Sequence, residues 1–197
     1  MTETMARIPL DPPRTLVTRL MEWYSRRTYG TVADPAAAMA HNRPVLITTM
    51  RHEMSLARWK KLDPTLKALA VMASAATVGC SWCMDFGYWI SHEDGIDPAK
   101  LRDVPRWRDS DVYTDLERRV LEYAEAASST PLGVTDAMVA SLRRDLDDAA
   151  LVELTMMIAV ENQRSRFNSA LGLTSQGFKD RCEIPATRIG AQGTTAA

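Results

Sequence analysis

Apolar residues recur at helical spacing along most of the chain. From Arg14 to Tyr29 the residues Leu16, Val17, Leu20, Met21 and Tyr24 follow that period, and Gly30 supplies a stop. Asp34-Pro35 reads as an N-cap followed by a first-turn proline, opening a short helix through Ala40. A helix from Pro44 carries Val45, Ile47, Met50, Met54 and Trp59 to about Lys60. Asp63-Pro64 repeats the cap signal before a helix whose Leu66, Leu69, Ala70, Met72 and Ala73 face inward. Thr77, Val78 and Gly79 then interrupt a run of good helix formers, and a fresh helix runs from near Cys80 to about Ser91. Asp97-Pro98 caps a further short helix, and residues 104–109 read as a loop. Three helices follow, over residues 111–127, 135–146 and 148–171. No stretch alternates with period two between hairpin turns, so the pattern predicts an all-α helical bundle.

Two features break this regular picture. The helix predicted over residues 148–171 is apolar through Val160 and then turns polar, from Glu161 to Asn168, which predicts a partly buried polar network or an oligomer contact. Sliding residues 63–87 onto 148–172 matches Leu66 with Leu151, Leu69 with Leu154, Met72 with Met157 and Gly87 with Gly172. Cys80 and Cys83 then fall opposite Ser165 and Asn168. The match implies either two similar helical units or the general likeness of amphipathic helices.

Composition narrows the class without choosing a function. With 197 residues, 46% of them hydrophobic, one compact domain over residues 14–175 is expected, after an extended proline-containing arm at 1–13 and before a flexible tail at 176–197. A formal net charge of -1 calls for no nucleic-acid partner, and the paired arginines Arg26-Arg27, Arg118-Arg119 and Arg143-Arg144 read as solvated helix faces. No apolar run approaches the ~20 residues that span a bilayer, and the first residues lack the form of a signal peptide. Three cysteines do not make a secreted disulfide framework, so a cytoplasmic setting with a transient disulfide is expected.

The chemistry concentrates in Gly79-Cys80-Ser81-Trp82-Cys83. At a helix start, free backbone N–H groups and the positive dipole end favour a thiolate, the reactive form of cysteine. Three residues of helical separation place both sulfurs on one face within disulfide reach. The alternative is that both cysteines simply pack as small hydrophobes. No second Cys-x-x-Cys or His-x-x-x-His pair completes four zinc ligands, so neither a metal nor a cofactor is predicted.

The run from Leu62-Asp63-Pro64 through Gly79-Cys80-Ser81-Trp82-Cys83 to Gly95-Ile96-Asp97-Pro98 resembles the carboxymuconolactone decarboxylase and alkylhydroperoxidase-D-like family. Leu116-Glu117-Arg118, Leu151-Val152-Glu153-Leu154-Thr155 and residues 162–168 extend the resemblance, which covers residues 43–173. It implies an all-helical bundle that assembles as a trimer or larger homo-oligomer. It also implies that Cys83 is oxidised by peroxide to a sulfenic acid and that Cys80 completes the disulfide. The family's peroxidases use a His one turn after the second Cys and a Glu about three turns before the first as a proton relay. Those positions hold Gly87 and Ala68 here.

Asp85 and His92 are the substitutes that lie near the thiols in sequence, and Cys182 reads as incidental. The expected activity is thiol-dependent reduction of a small hydroperoxide, with an external dithiol or protein reductant restoring the pair. A lyase acting on a small carboxylated lactone is the alternative, drawing on His52, Arg58, Glu161 and Arg164 without the thiols. A non-enzymatic helical oligomer with packed or switch-like cysteines is the third reading.

Overall fold

A computed structural model describes residues 6–182, all helix, turn and irregular segments with no strand among them. Nine α-helices follow in order among the described residues: α1 (Leu16–Tyr29), α2 (Asp34–Met39), α3 (Arg43–Leu56), α4 (Pro64–Val78), α5 (Ser81–Glu93), α6 (Pro98–Asp103), α7 (Asp115–Ser128), α8 (Asp136–Leu142) and α9 (Asp148–Ala170). The all-α reading therefore holds. None of the described helices is long and apolar enough to cross a membrane.

α4 lies at the centre, packed against α5, α7 and α9. Asp63 starts it, its carboxylate accepting the N–H groups of Thr65 and Leu66, with Pro64 at the first helical position. Leu66, Leu69, Met72 and the small residues Ala70, Ala73, Ser74 and Ala75 are all buried, so neighbours approach on several sides. Val120, Leu121, Leu154 and Ile158 from α7 and α9 fill the same core.

Several predicted boundaries move, each for a local reason. Asp34 is inside α2 rather than its cap, because its N–H is satisfied by the Gln176 side chain at 2.9 Å. α3 ends at Leu56, and the Trp59 carbonyl accepts from Lys67 Nζ at 2.6 Å. α7 begins after Thr114, which forms a capping box with Glu117. Residues 104–109 are a kinked 3-10 turn instead of a loop. The predicted repeat joins unlike shapes: residues 63–87 form helix, break and helix, whereas residues 148–170 form the single continuous α9.

The largest difference concerns the ends. Residues 1–5 and 183–197 lie outside the described residues, while the segment from 176 to 182, predicted to belong to a flexible tail, is docked. Phe178 is 0% exposed and meets the rings of Trp82, Phe86 and Trp89 on α5. Gln176 also accepts from Trp82 Nε1 and donates to the Val32 carbonyl. The segment thus straps α5 to the α1–α2 connection.

Candidate functional site

The Cys-x-x-Cys sits where α4 stops and α5 starts. Gly79 closes α4 with φ 80°, a left-handed conformation that a residue with a Cβ adopts at a cost. Its N–H and that of Cys80 both return to the Ala75 carbonyl, which aims Cys80 into the N-cap position of α5. Cys83 then occupies the third position of α5, and its N–H donates to Cys80 Sγ at 3.2 Å. The two sulfurs are disulfide-bonded, with Cα atoms 5.3 Å apart. Cys80 is 1% exposed and Cys83 7%, so both are buried residues and Cys83 is the slightly more exposed. The helix start expected beside the pair is present, and both cysteines are buried in it.

The polar half of α9 covers the pair. Ser165 Oγ lies 3.3 Å from Cys83 Sγ and 2.8 Å from Glu161 Oε1. Asn168 Nδ2 donates to Cys83 Sγ at 3.3 Å and approaches Cys80 Sγ at 3.8 Å. Donors directed at Cys83 favour its charged form once the disulfide opens. Behind them Arg164 Nη1 is 3.3 Å from Glu161 Oε2, and its other nitrogens grip the Glu53 carboxylate on α3 in a bidentate pair. Burial pushes the Glu161 carboxyl up to about 7, against the opposing pull of Arg164 and the Ser165 hydroxyl.

The sequence-selected residues scatter around this arrangement. Asp85 is two positions beyond Cys83, about 200° around the helix, and its buried carboxylate accepts the backbone N–H groups of Gln176, Phe178 and Lys179 at 2.8, 3.1 and 2.7 Å. It holds the strap. His92 is nine residues along α5 from Cys83, roughly 13 Å of helical rise, stacked on Tyr88. His92, Glu93 and Cys182 bring ligand-type atoms within 4.8 Å of one another, apart from the disulfide. Gly87 packs near Met72, where a Cβ would lie 3.5 Å from its Cγ. Ala68 packs against the main core. Of the lyase candidates, Glu161 and Arg164 meet each other, and Arg58 is exposed.

Ser165 and Asn168 are the site residues that sequence reasoning did not select. The signal was present in the sliding match, which set them opposite Cys80 and Cys83. In the fold both touch Cys83 Sγ. The buried polar network predicted for residues 161–168 is this cluster.

Comparison with known proteins agrees with the fold. The family model described as the carboxymuconolactone decarboxylase family matches residues 44–126, which include both site cysteines. The uncharacterized protein YnjA of Escherichia coli (strain K12) is 36% identical over 174 residues, 88% of this chain and 94% of that protein. Among solved structures, the alkylhydroperoxidase AhpD core of an uncharacterized peroxidase-related protein from Ralstonia eutropha JMP134 superposes with a TM-score of 0.76 at 17% identity, covering 89% of this chain and 95% of that one. The debrominase Bmp8 in complex with 2,3,4-tribromopyrrole gives a TM-score of 0.76 at 18% identity, covering 89% and 96%. At these identities the two structures share the fold.

Proposed function

The chain belongs to the carboxymuconolactone decarboxylase family, and we propose that it is a thiol-dependent oxidoreductase in which Cys83 reduces a hydroperoxide and Cys80 closes the disulfide. The observation that carries this reading is the Cys80–Cys83 disulfide at the start of α5, with Ser165 and Asn168 directed at Cys83 Sγ. The reduced pair has a helix N-terminus and two side-chain donors to hold a thiolate at Cys83. The thiolate attacks a peroxide oxygen, giving a Cys83 sulfenic acid and an alcohol. Cys80 then attacks the sulfenic sulfur, water leaves, and the disulfide forms; an external dithiol returns two electrons and two protons.

Burial of both sulfurs favours a small hydroperoxide over a bulky one. The lyase alternative is disfavoured because the Arg164 guanidinium is already balanced by Glu53 and Glu161, leaving it poorly placed to take a substrate carboxylate. The reading carries two partners: a dithiol or dithiol protein as reductant, and further copies of the chain, for which the exposed Leu16, Leu20 and Trp23 on α1 offer an apolar face. Thiol-dependent hydroperoxide consumption is the test. Cys83→Ser is expected to abolish it, and wild-type turnover no faster than that variant would remove the assignment.

A further inference from the structure

We propose that Glu161, acting through the Ser165 hydroxyl, takes the proton from the Cys83 thiol and returns it to the oxygen that leaves. This inference rests on the thiol-oxidoreductase reading and supplies the proton path for it. Ser165 touches the reacting sulfur; Glu161 is a positioning and proton-storing group one residue removed.

The hydroxyl of Ser165 has one proton and two lone pairs. Its two neighbours, Cys83 Sγ at 3.3 Å and Glu161 Oε1 at 2.8 Å, both lie where they can accept that proton. If sulfur and carboxylate were both ionised, the single Ser165 proton would serve only one of them, leaving either the thiolate to Asn168 Nδ2 or the carboxylate to Arg164 Nη1 and two negative charges facing one hydroxyl. The chain of three is complete when it holds one more proton. Either the Cys83 thiol donates to Ser165, which donates to the Glu161 carboxylate, or the Glu161 carboxylic acid donates to Ser165, which donates to the Cys83 thiolate. The two arrangements interconvert by a concerted shift of two protons. Cys83, Ser165 and Glu161 are all buried, so this path is shielded from bulk solvent.

The charged surroundings keep the two arrangements close in energy. The Glu161 carboxyl, pushed up to about 7 by burial, approaches the ordinary thiol value of about 8.5, and proton transfer between matched groups is the efficient case. Arg164 faces Glu161 from the same helix, and Glu53 of α3 faces Arg164. Tyr29 at the end of α1 lies in turn within the influence of Glu53. α5 contributes Cys80 and Cys83, while its Asp85 is bound to the strap. α4 presents Ala75 to the cysteine pair and α7 presents Ser128 to Asn162, none of which titrates; the titratable contacts of these helices with α9, Tyr123 on Thr155 and Lys67 on Glu153, lie toward the other end of α9. Gly87 and Ala68, at the relay positions implied by the family resemblance, have no titrating side chain, so the α9 groups form a different path.

In balance, the Cys83 thiol gives its proton through Ser165 to Glu161. The thiolate attacks one oxygen of ROOH, an S–O bond forms as the O–O bond breaks, and sulfur loses two electrons that the peroxide gains. The leaving alkoxide takes the stored proton, and the products are the sulfenic acid and ROH.

The experiment uses the reduced full-length protein with Cys80→Ser and Cys182→Ser, so that Cys83 is the thiol observed. Iodoacetamide alkylation reports the thiolate and needs no proton for its leaving group; single-turnover reaction with hydrogen peroxide needs both. Glu161→Gln removes a neighbouring negative charge, so alkylation at pH 7 is expected to hold or rise, and its pH profile to collapse from two coupled steps to one. The peroxide reaction of the same variant is expected to fall roughly 10²-fold, and Ser165→Ala is expected to show the same loss. More thiolate with slower peroxide reduction is a pattern that general structural damage does not produce. Parallel losses in both reactions, or an unchanged pH profile in both variants, would overturn the relay. If the parent alkylates with the two-step profile and Glu161→Gln simplifies it while neither reacts with peroxide, the relay stands and the hydroperoxide assignment fails.

Discussion

Two buried glutamates lie eight residues apart on α9, and their surroundings drive them in opposite directions. Glu153 is desolvated, but Lys67 Nζ at 2.5 Å and the Lys61 backbone N–H at 2.8 Å more than offset the burial and hold its carboxyl below the usual range. Glu161 is desolvated too, yet it shares Arg164 with Glu53 and otherwise has one serine hydroxyl that is also aimed at a sulfur. Its carboxyl rises to about 7. Residue type and helix are the same in the two cases. The depth of desolvation, greater at Glu161, and the supply of dedicated donors, greater at Glu153, together decide whether such an acid is a permanent ion that fastens α9 to α4 or a group whose proton is within reach of chemistry.

The Lys67–Glu153 pair carries the largest expected effect. Lys67→Met leaves Glu153 buried with the Lys61 and Leu62 backbone N–H groups but no cation, and removal of one member of a buried pair costs on the order of 3 kcal/mol. Urea unfolding is expected to show that loss at pH 7 and a partial recovery at low pH, as Glu153 takes up a proton. Equal stability of variant and wild type would show that the pair does not fasten the bundle.

Glu161 carries the opposite pH dependence. Its folded value lies above the ordinary one of 4.5, so the folded state binds the extra proton between those values. Its contribution is fully present below about pH 4.5 and is lost as pH rises through 7, a change on the order of 3 kcal/mol. Unfolding of the oxidised protein at pH 5 and pH 8 is expected to show this decline, and Glu161→Gln is expected to flatten it. A decline that persists unchanged in the variant would assign it to another group.

A smaller effect is expected at the strap. Asp85→Asn keeps the shape but removes the charge and replaces one of the two acceptor oxygens by an NH2 donor, so at least one of the three backbone N–H groups loses its acceptor, a loss of about 1–3 kcal/mol. Hydrogen exchange is expected to rise first at the amides of Gln176, Phe178 and Lys179, with the cysteine pair still able to form its disulfide. If exchange instead rises evenly through α4 and α9, Asp85 supports the whole bundle rather than the strap.

Much of the architecture was legible because it rests on local chemistry. Asp63, Asp97 and Thr135 cap the helices that their spacing announced, and Gly79 breaks the chain beside Cys80. The site was legible only where sequence neighbours are also neighbours in space, as Cys80 and Cys83 are. Asp85 and His92 are close to the thiols along the chain, but helical rotation turns one toward the strap and helical rise carries the other away. Ser165 is separated from Cys83 by 82 positions, and its role depends on how α9 crosses the start of α5, which periodicity does not specify. Phe178 closes the same helix from a segment with no periodic pattern to announce it.

The most direct test of the cysteine assignment is the intact mass of the reduced protein after addition of one equivalent of hydroperoxide, with the disulfide mapped by proteolysis. The account predicts loss of two hydrogens per chain and a bond between Cys80 and Cys83. A mass unchanged from the reduced form, or a bond that recruits Cys182 instead, would contradict it.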